Sequence, residues 1–192
     1  MEKKRCPWLN LKNSTYVEYH DREWGRAVHD DRKHFEFLIL EGAQAGLSWE
    51  TVLKKRERYR EVFADFDPIN VARFSQKKIE KLLLDPGIIR NRLKVESAVS
   101  NSIAFLKVQK EFGSFDRYIW QFVGGKPIYN SFVSAKDYKT RTPESDALSK
   151  DLKARGFRFV GSTIIYAHMQ ACGLTQDHSR DCYLHGKKLK SL

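Results

Sequence analysis

Residues 82–92 read Leu-Leu-Leu-Asp-Pro-Gly-Ile-Ile-Arg-Asn-Arg, and this stretch decides the fold. Its first residues complete an apolar helix face with Ile79, and a helix begun at Ser75 carries Ile79, Leu82 and Leu83. Pro86-Gly87 stops that helix, because proline has no N–H to donate and glycine accepts turn conformations at no steric cost. Apolar periodicity resumes beyond Asn91 at Val95, Val99, Ile103 and Leu106, which predicts one long helix from Asn91 to Phe112. A hairpin this short points backbone N–H groups outward. Gly87, Arg90 and Arg92 are therefore candidates for holding a nucleic-acid phosphate. The same residues also suit an ordinary connection between two packed helices.

Outward from this junction the pattern stays helical. Asp31 to Leu40 forms one helix, and Ser48 is the N-cap of another reaching Phe63. Asp67-Pro68 restarts a short helix with proline in its first turn. Further helices run from Ser114 to Val123, from Thr142-Pro143-Glu144 to Gly156, and from Ser162 to Cys172, ended by Gly173. Residues 124–141 form the one long irregular stretch. The expected fold class is all-α, one domain over 1–192 made of two closely joined helical lobes.

The chain holds 35 Lys and Arg against 24 Asp and Glu, a formal net charge of +11, so its surface favours polyanions. The basic residues recur along the chain, at 54–58, 77–78, 90–92, 150–155 and 187–190. Nucleic acid is the first reading; acidic proteins, membrane surfaces and simple solubility remain open. No apolar run is long enough to span a bilayer, and the first residues lack a signal-peptide apolar core. Three widely spaced cysteines argue against a disulfide framework and for a reducing compartment, so the expected location is cytoplasmic.

Two groups of residues carry chemistry. The first is Leu-Glu-Gly-Ala-Gln-Ala-Gly-Leu-Ser-Trp at 40–49. Glu41 closes an apolar run, and a carboxylate at the edge of a core is costly unless something pairs with it. The nearby indole of Trp49 points to a flat, cationic partner. The small residues between them allow close approach to the backbone, and Leu47 is free to project as a wedge. A tightly packed helix end with an exposed Glu is the plainer alternative. The second group is Cys6, His20, His178 and Cys182. Two thiolates and two imidazoles suit a closed tetrahedral zinc site, structural because no position stays open. Such a site needs the two ends of the chain to meet. His185 is a rival ligand, His168 reads as a core histidine, and His29 and His34 read as surface residues.

These pieces occur together in one known family. The chain resembles the bacterial DNA-3-methyladenine glycosylases of type I from Cys6 to Tyr183, through Arg-Cys-Pro-Trp at 5–8, Tyr-His-Asp-Arg-Glu-Trp-Gly at 19–25 and Glu-Gly-Ala-Gln-Ala-Gly-Leu-Ser-Trp at 41–49. Phe-Asp-Pro at 66–68, Gly-Ile-Ile-Arg-Asn-Arg at 87–92, Ser-Asp-Ala-Leu-Ser-Lys at 145–150, Arg-Gly-Phe-Arg-Phe-Val-Gly at 155–161 and Met-Gln-Ala-Cys-Gly at 169–173 continue it. The basic end, 187–192, lies outside the match.

The resemblance implies a helix–hairpin–helix superfamily fold and a zinc clamp on Cys6, His20, His178 and Cys182. It places base recognition on Glu41, Tyr19 and Trp49, with Trp8, Tyr16 and Trp24 as aromatic neighbours. The DNA-penetrating segment falls on Ala45, Gly46 and Leu47. The implied activity is hydrolysis of the N-glycosidic bond of 3-methyladenine in double-stranded DNA by base flipping, by a monomer. Many glycosylases of that superfamily carry an essential Asp soon after the hairpin, and here no carboxylate stands between Glu96 and Glu111. No hairpin lysine suits Schiff-base chemistry, so the expected enzyme does not nick the strand. A catalytically silent lesion binder, a glycosylase for another alkylated base and a zinc-stabilised protein-interaction domain are the alternatives.

Overall fold

The computed structural model describes residues 3–192. Ten α-helices carry the fold: α1 Ser14–Arg22, α2 Asp31–Gln44, α3 Trp49–Leu53, α4 Arg56–Val62, α5 Pro68–Val71, α6 Gln76–Leu83, α7 Arg92–Phe112, α8 Phe115–Trp120, α9 Pro143–Ala154 and α10 Ser162–Ala171. Side-chain caps start most of them. Asp30, Ser48, Asp67, Ser75, Asn91, Ser114 and Thr142 each accept a hydrogen bond from a first-turn N–H, which satisfies a donor the helix itself cannot. The helical class expected from periodicity is the one observed.

Helix α2 is the axis of the molecule. Every residue from His34 to Ala43 is buried, and the helix packs on α10, α3, α7 and α8. A helix covered on all sides belongs to the core, and any charge it carries needs a partner. Glu36 has three, in Arg56, Arg60 and Lys33. Glu41 has none.

Four expectations need correction. Helix α2 does not stop at Leu40 but continues to Gln44, which places Glu41 inside a helix rather than at its end. The expected single helix from Ser48 to Phe63 is two, α3 and α4, and the break at Lys54-Lys55 turns Arg56 inward. There Arg56 meets Glu23 through two bonds of 2.8 and 2.7 Å and Glu36 at 2.7 Å. His34 is fully buried rather than superficial, because α2 is covered where it sits; its Nε2 lies 3.4 Å from Asp116 Oδ1. Finally, helix α1 has no counterpart in the apolar periodicity: its sequence, Ser-Thr-Tyr-Val-Glu-Tyr-His-Asp-Arg, is too polar to show one. The irregular stretch also contributes a two-residue parallel pairing, Ile128–Tyr129 with Thr175–Gln176.

The junction at 84–91 is built from contacts on both sides. Asp85 Oδ1 accepts the Gly87 N–H at 2.8 Å, Lys55 Nζ donates to the Pro86 carbonyl at 2.6 Å, and the Tyr59 hydroxyl accepts the Ile89 N–H at 3.1 Å. Arg58 presses so closely on Gly87 that a Cβ there would overlap its side chain. Glycine at this position answers a close approach.

Candidate active site and metal cluster

The sequence-chosen residues Trp8, Tyr16, Tyr19, Trp24, Glu41 and Trp49 line one cavity of about 290 Å³, at the small end of ligand sites. Gln44, Ala135, Tyr138, Lys139, Ala167 and Gln170 complete it. The second set escaped sequence reasoning. Tyr138 and Lys139 come from the irregular stretch, and Gln170 from α10, where it carried no periodic signal.

The walls are aromatic. Tyr19 and Trp49 stand 5.3 Å apart between ring centroids at 46°, and Trp8 lies 5.5 Å from Tyr16 and 4.8 Å from Trp24. Glu41 is 4% exposed and forms no hydrogen bond or ion pair among the described residues. Burial pushes its carboxyl up to about 8, because the charged form loses water without gaining a counter-ion. The Trp49 Nε1 donor is buried and unpaired as well. Burial and then the Glu41 charge hold the Tyr19 phenol well above its ordinary range, so that ring serves as a wall and not as an anion. The Tyr138 hydroxyl is a third such group, and three unsatisfied polar groups on residues that line one aromatic cavity call for a ligand that supplies both an acceptor and a donor or positive charge.

Beside the cavity, α2 ends in a tight turn. Gly46 has φ +78°, the left-handed region open to glycine, and the Leu47 N–H donates back to the Gln44 carbonyl at 2.6 Å. Leu47 is 42% exposed at the tip. Ala45, Gly46 and Leu47 thus project from the edge of the cavity.

At the 84–91 junction the amides are largely spent. Gly87, Ile88, Ile89 and Asn91 all donate within the chain. The Arg90 amide has no acceptor among the described residues, and it adjoins the first turn of the 21-residue helix α7. Arg90 is exposed without an ion pair, whereas Arg92 is held by Glu80 through bonds of 2.7 and 2.8 Å. The structure therefore leaves Arg90 freer than Arg92 to meet an external anion.

Cys6, His20, His178 and Cys182, from opposite ends of the chain, form one buried cluster whose donor atoms lie within 4.8 Å of one another. Cys6 Sγ is 3.5 Å and Cys182 Sγ 3.6 Å from His178 Nδ1, and Cys182 Sγ is 3.6 Å from His20 Nε2. A tetrahedral zinc with S bonds of about 2.3 Å and N bonds of about 2.0 Å has sulfur–nitrogen edges of about 3.5 Å, so the donors fit such an ion. The outer nitrogen of His20 bonds Asp21 at 2.8 Å, and Asp21 is gripped by Arg5. This is the carboxylate–histidine pairing that orients metal ligands. His185 is not in the cluster; its Nδ1 bonds the His178 carbonyl at 2.9 Å. A second group, His34, His168 and Cys172, offers only three donors, and His168 and Cys172 already pair at 3.6 Å.

Comparison with known proteins agrees with this geometry. The family model for methyladenine glycosylase matches residues 8–185. A DNA-3-methyladenine glycosylase of Haemophilus influenzae is 48% identical over 178 residues, 93% of this chain and 96% of that protein. A crystal structure of 3-methyladenine DNA glycosylase I, 49% identical, superposes with a TM-score of 0.92 over 95% of this chain and all of that one. The Staphylococcus aureus 3-methyladenine DNA glycosylase I, in a structure concerned with 3-methyladenine recognition, superposes with a TM-score of 0.89 at 38% identity, covering 92% of this chain and 94% of that one. The chain belongs to the methyladenine glycosylase family.

Proposed function

We propose that this chain is a DNA-repair glycosylase that hydrolyses the N-glycosidic bond of 3-methyladenine in alkylated duplex DNA, without cutting the strand. The observation that carries this reading is Glu41: a buried carboxyl with no partner among the described residues, walled by Tyr19 and Trp49.

A 3-methylated adenine still bound to its sugar is a cation and leaves as a neutral base, so no strong acid is needed at the leaving group. Selection is the harder task. With the cavity empty, Glu41 is largely protonated near pH 7, since its carboxyl titrates at about 8. An arriving cation favours the carboxylate, so Glu41 gives up its proton and accepts hydrogen bonds from the base edge. Once the bond breaks and the base is neutral, the bare carboxylate is again costly. The bonding pair stays with the base while water adds to the sugar C1′ and releases a proton to solvent; Glu41 regains a proton from solvent, which favours product departure. Normal adenine brings no positive charge and leaves the carboxyl protonated and mismatched. Trp49 and Tyr19 stack on the extruded base, worth about 1–3 kcal/mol per stacking contact.

Leu47 fills the space the nucleotide leaves. The hairpin between α6 and α7 acts as the helix–hairpin–helix element: the Arg90 amide and side chain and the N-terminus of α7 hold a backbone phosphate. Zinc on Cys6, His20, His178 and Cys182 supplies a structural cross-link between the chain ends, with no part in bond cleavage. The enzyme works as a cytoplasmic monomer on duplex DNA.

The test is chromatography of bases released from DNA treated with a methylating agent. Release of 3-methyladenine with little 7-methylguanine is the expected result; no release by folded, zinc-loaded protein contradicts the reading.

A further inference from the structure

Lys94 stands at an odd place for a cation. It lies in the first turn of α7, where the helix dipole disfavours positive charge. It is partly buried, and desolvation lowers its ammonium below the ordinary lysine range. Among the described residues no carboxylate comes within 4.0 Å of it, whereas Arg92, two residues before it, is held by Glu80. What Lys94 does touch is the end of α2: its Nζ donates to the Ala43 carbonyl at 2.9 Å and to the Ala45 carbonyl at 2.6 Å.

Those two carbonyls lie at the C-terminal end of α2, beside the turn that presents Leu47. Helix α2 has no basic residue in its own last turn, so a cation from α7 takes the place favoured at a helix C-terminus. Glu41 lies one turn back on the same helix. Arg90, the candidate phosphate ligand, lies four residues before Lys94. One side chain thus ties the first turn of α7 to the root of the wedge, one helical turn from Glu41.

We propose that Lys94 is a positioning residue for excision from duplex DNA: by holding the Ala43 and Ala45 carbonyls, it fixes where Leu47 enters the helix relative to the gripped phosphate and to Glu41. This role rests on the function proposed above. A wedge displaced by about 1 Å at a well-ordered site can cost on the order of a hundredfold in rate, so a clamp of two hydrogen bonds at its root is consequential. The loss should fall on duplex chemistry and not on the pocket, because Lys94 does not line the cavity.

The test compares the unsubstituted protein with Lys94→Met, which keeps the stem and removes the donors, and Lys94→Arg, which restores a cation with donors. Four quantities are read: free 3-methyladenine affinity by tryptophan fluorescence, affinity for methylated duplex, and single-turnover release from methylated duplex and from heat-denatured methylated DNA. For Lys94→Met, free-base and duplex affinities should stay within about threefold, while release from duplex falls by about tenfold or more and release from denatured DNA falls far less. Lys94→Arg should recover most of the duplex rate and keeps the comparison open if Lys94→Met does not fold. Equal loss on both DNA forms, a rate loss matched by lost duplex affinity, or an unchanged duplex rate each overturns the role. Absence of release already in the unsubstituted protein contradicts the function itself and the role with it; normal release there with no change in Lys94→Met contradicts the role alone.

Discussion

The indole of Trp24 meets the imidazole of His178 edge-on, with ring centroids 4.8 Å apart and planes at 88°. One belongs to the wall of the aromatic cavity and the other to the Cys/His cluster, and His20 and Trp8 repeat the arrangement at 5.4 Å. The Cys/His cluster between the chain ends is thus also the backing of the cavity.

Removing the metal should therefore damage recognition as well as stability. Structural zinc in small peptides is worth about 10 kcal/mol or more near neutral pH, so chelation or His178→Ala should lower the melting temperature by more than about 10 °C. Tryptophan fluorescence should change in the same step, and free 3-methyladenine binding should weaken. Mass spectrometry of the native protein should find one zinc, absent in Cys6→Ser with Cys182→Ser. A protein purified without metal that melts and binds base normally would remove the cluster from this role.

Arg56 carries a different load. It neutralises Glu23 and Glu36 together, and Glu36 is 2% exposed. Arg56→Met leaves both acids in place without their main partner. Breaking one side of a buried pair typically costs about 3–5 kcal/mol, and urea unfolding should show a loss of that order. A change below about 1 kcal/mol would mean that Lys33 and Arg60 compensate fully.

Leu47 should show the opposite profile. It is 42% exposed, so Leu47→Ala should leave stability within about 0.5 kcal/mol. Excision from duplex DNA should fall while free-base affinity stays the same, measured by single-turnover release and fluorescence titration. Unchanged duplex excision would assign gap-filling to another residue.

Glu41 makes stability depend on pH in a defined direction. Its folded-state pKa, about 8, lies above the ordinary 4.5. The folded protein therefore holds this proton more tightly than the unfolded chain does. The associated stability is complete below the unfolded pKa and is lost as pH rises through about 8. Glu41→Gln removes the dependence. The variant should match the parent in melting temperature near pH 4.5 and exceed it increasingly toward pH 8. Parallel melting curves across that range would show that Glu41 is not enclosed as described.

Much of this was legible in the sequence, for identifiable reasons. Periodicity and turn chemistry exposed α6, α7 and the hairpin, because Pro86-Gly87 and Asn91 act locally. The cavity residues 41–49 stood out because a lone carboxylate among small and aromatic residues is locally anomalous. What stayed hidden depends on tertiary contact. Helix α1 is held by Tyr16 and Tyr19 against Trp8, Phe37 and Trp49, by His20 in the Cys/His cluster and by the adjoining Glu23–Arg56 pair, none of which shows as aliphatic periodicity. The break between α3 and α4 exists to place Arg56. Tyr138 and Lys139 reach the cavity from a stretch without periodicity. His34 is buried only because α2 is covered on every side, and Arg92, chosen for its charge, is occupied by Glu80.

The central claim is that a buried, partnerless Glu41 reads the positive charge of the lesion. It is tested most directly by single-turnover release of 3-methyladenine from methylated duplex, with enzyme in excess of the lesion but below saturation, between pH 6 and 9, for the parent and Glu41→Gln. The parent should accelerate as pH rises toward about 8, since lesion binding must displace a proton below that value. Glu41→Gln should be slower throughout and flat in pH. Equal rates for the two proteins, or a pH dependence that survives the substitution, would contradict the claim.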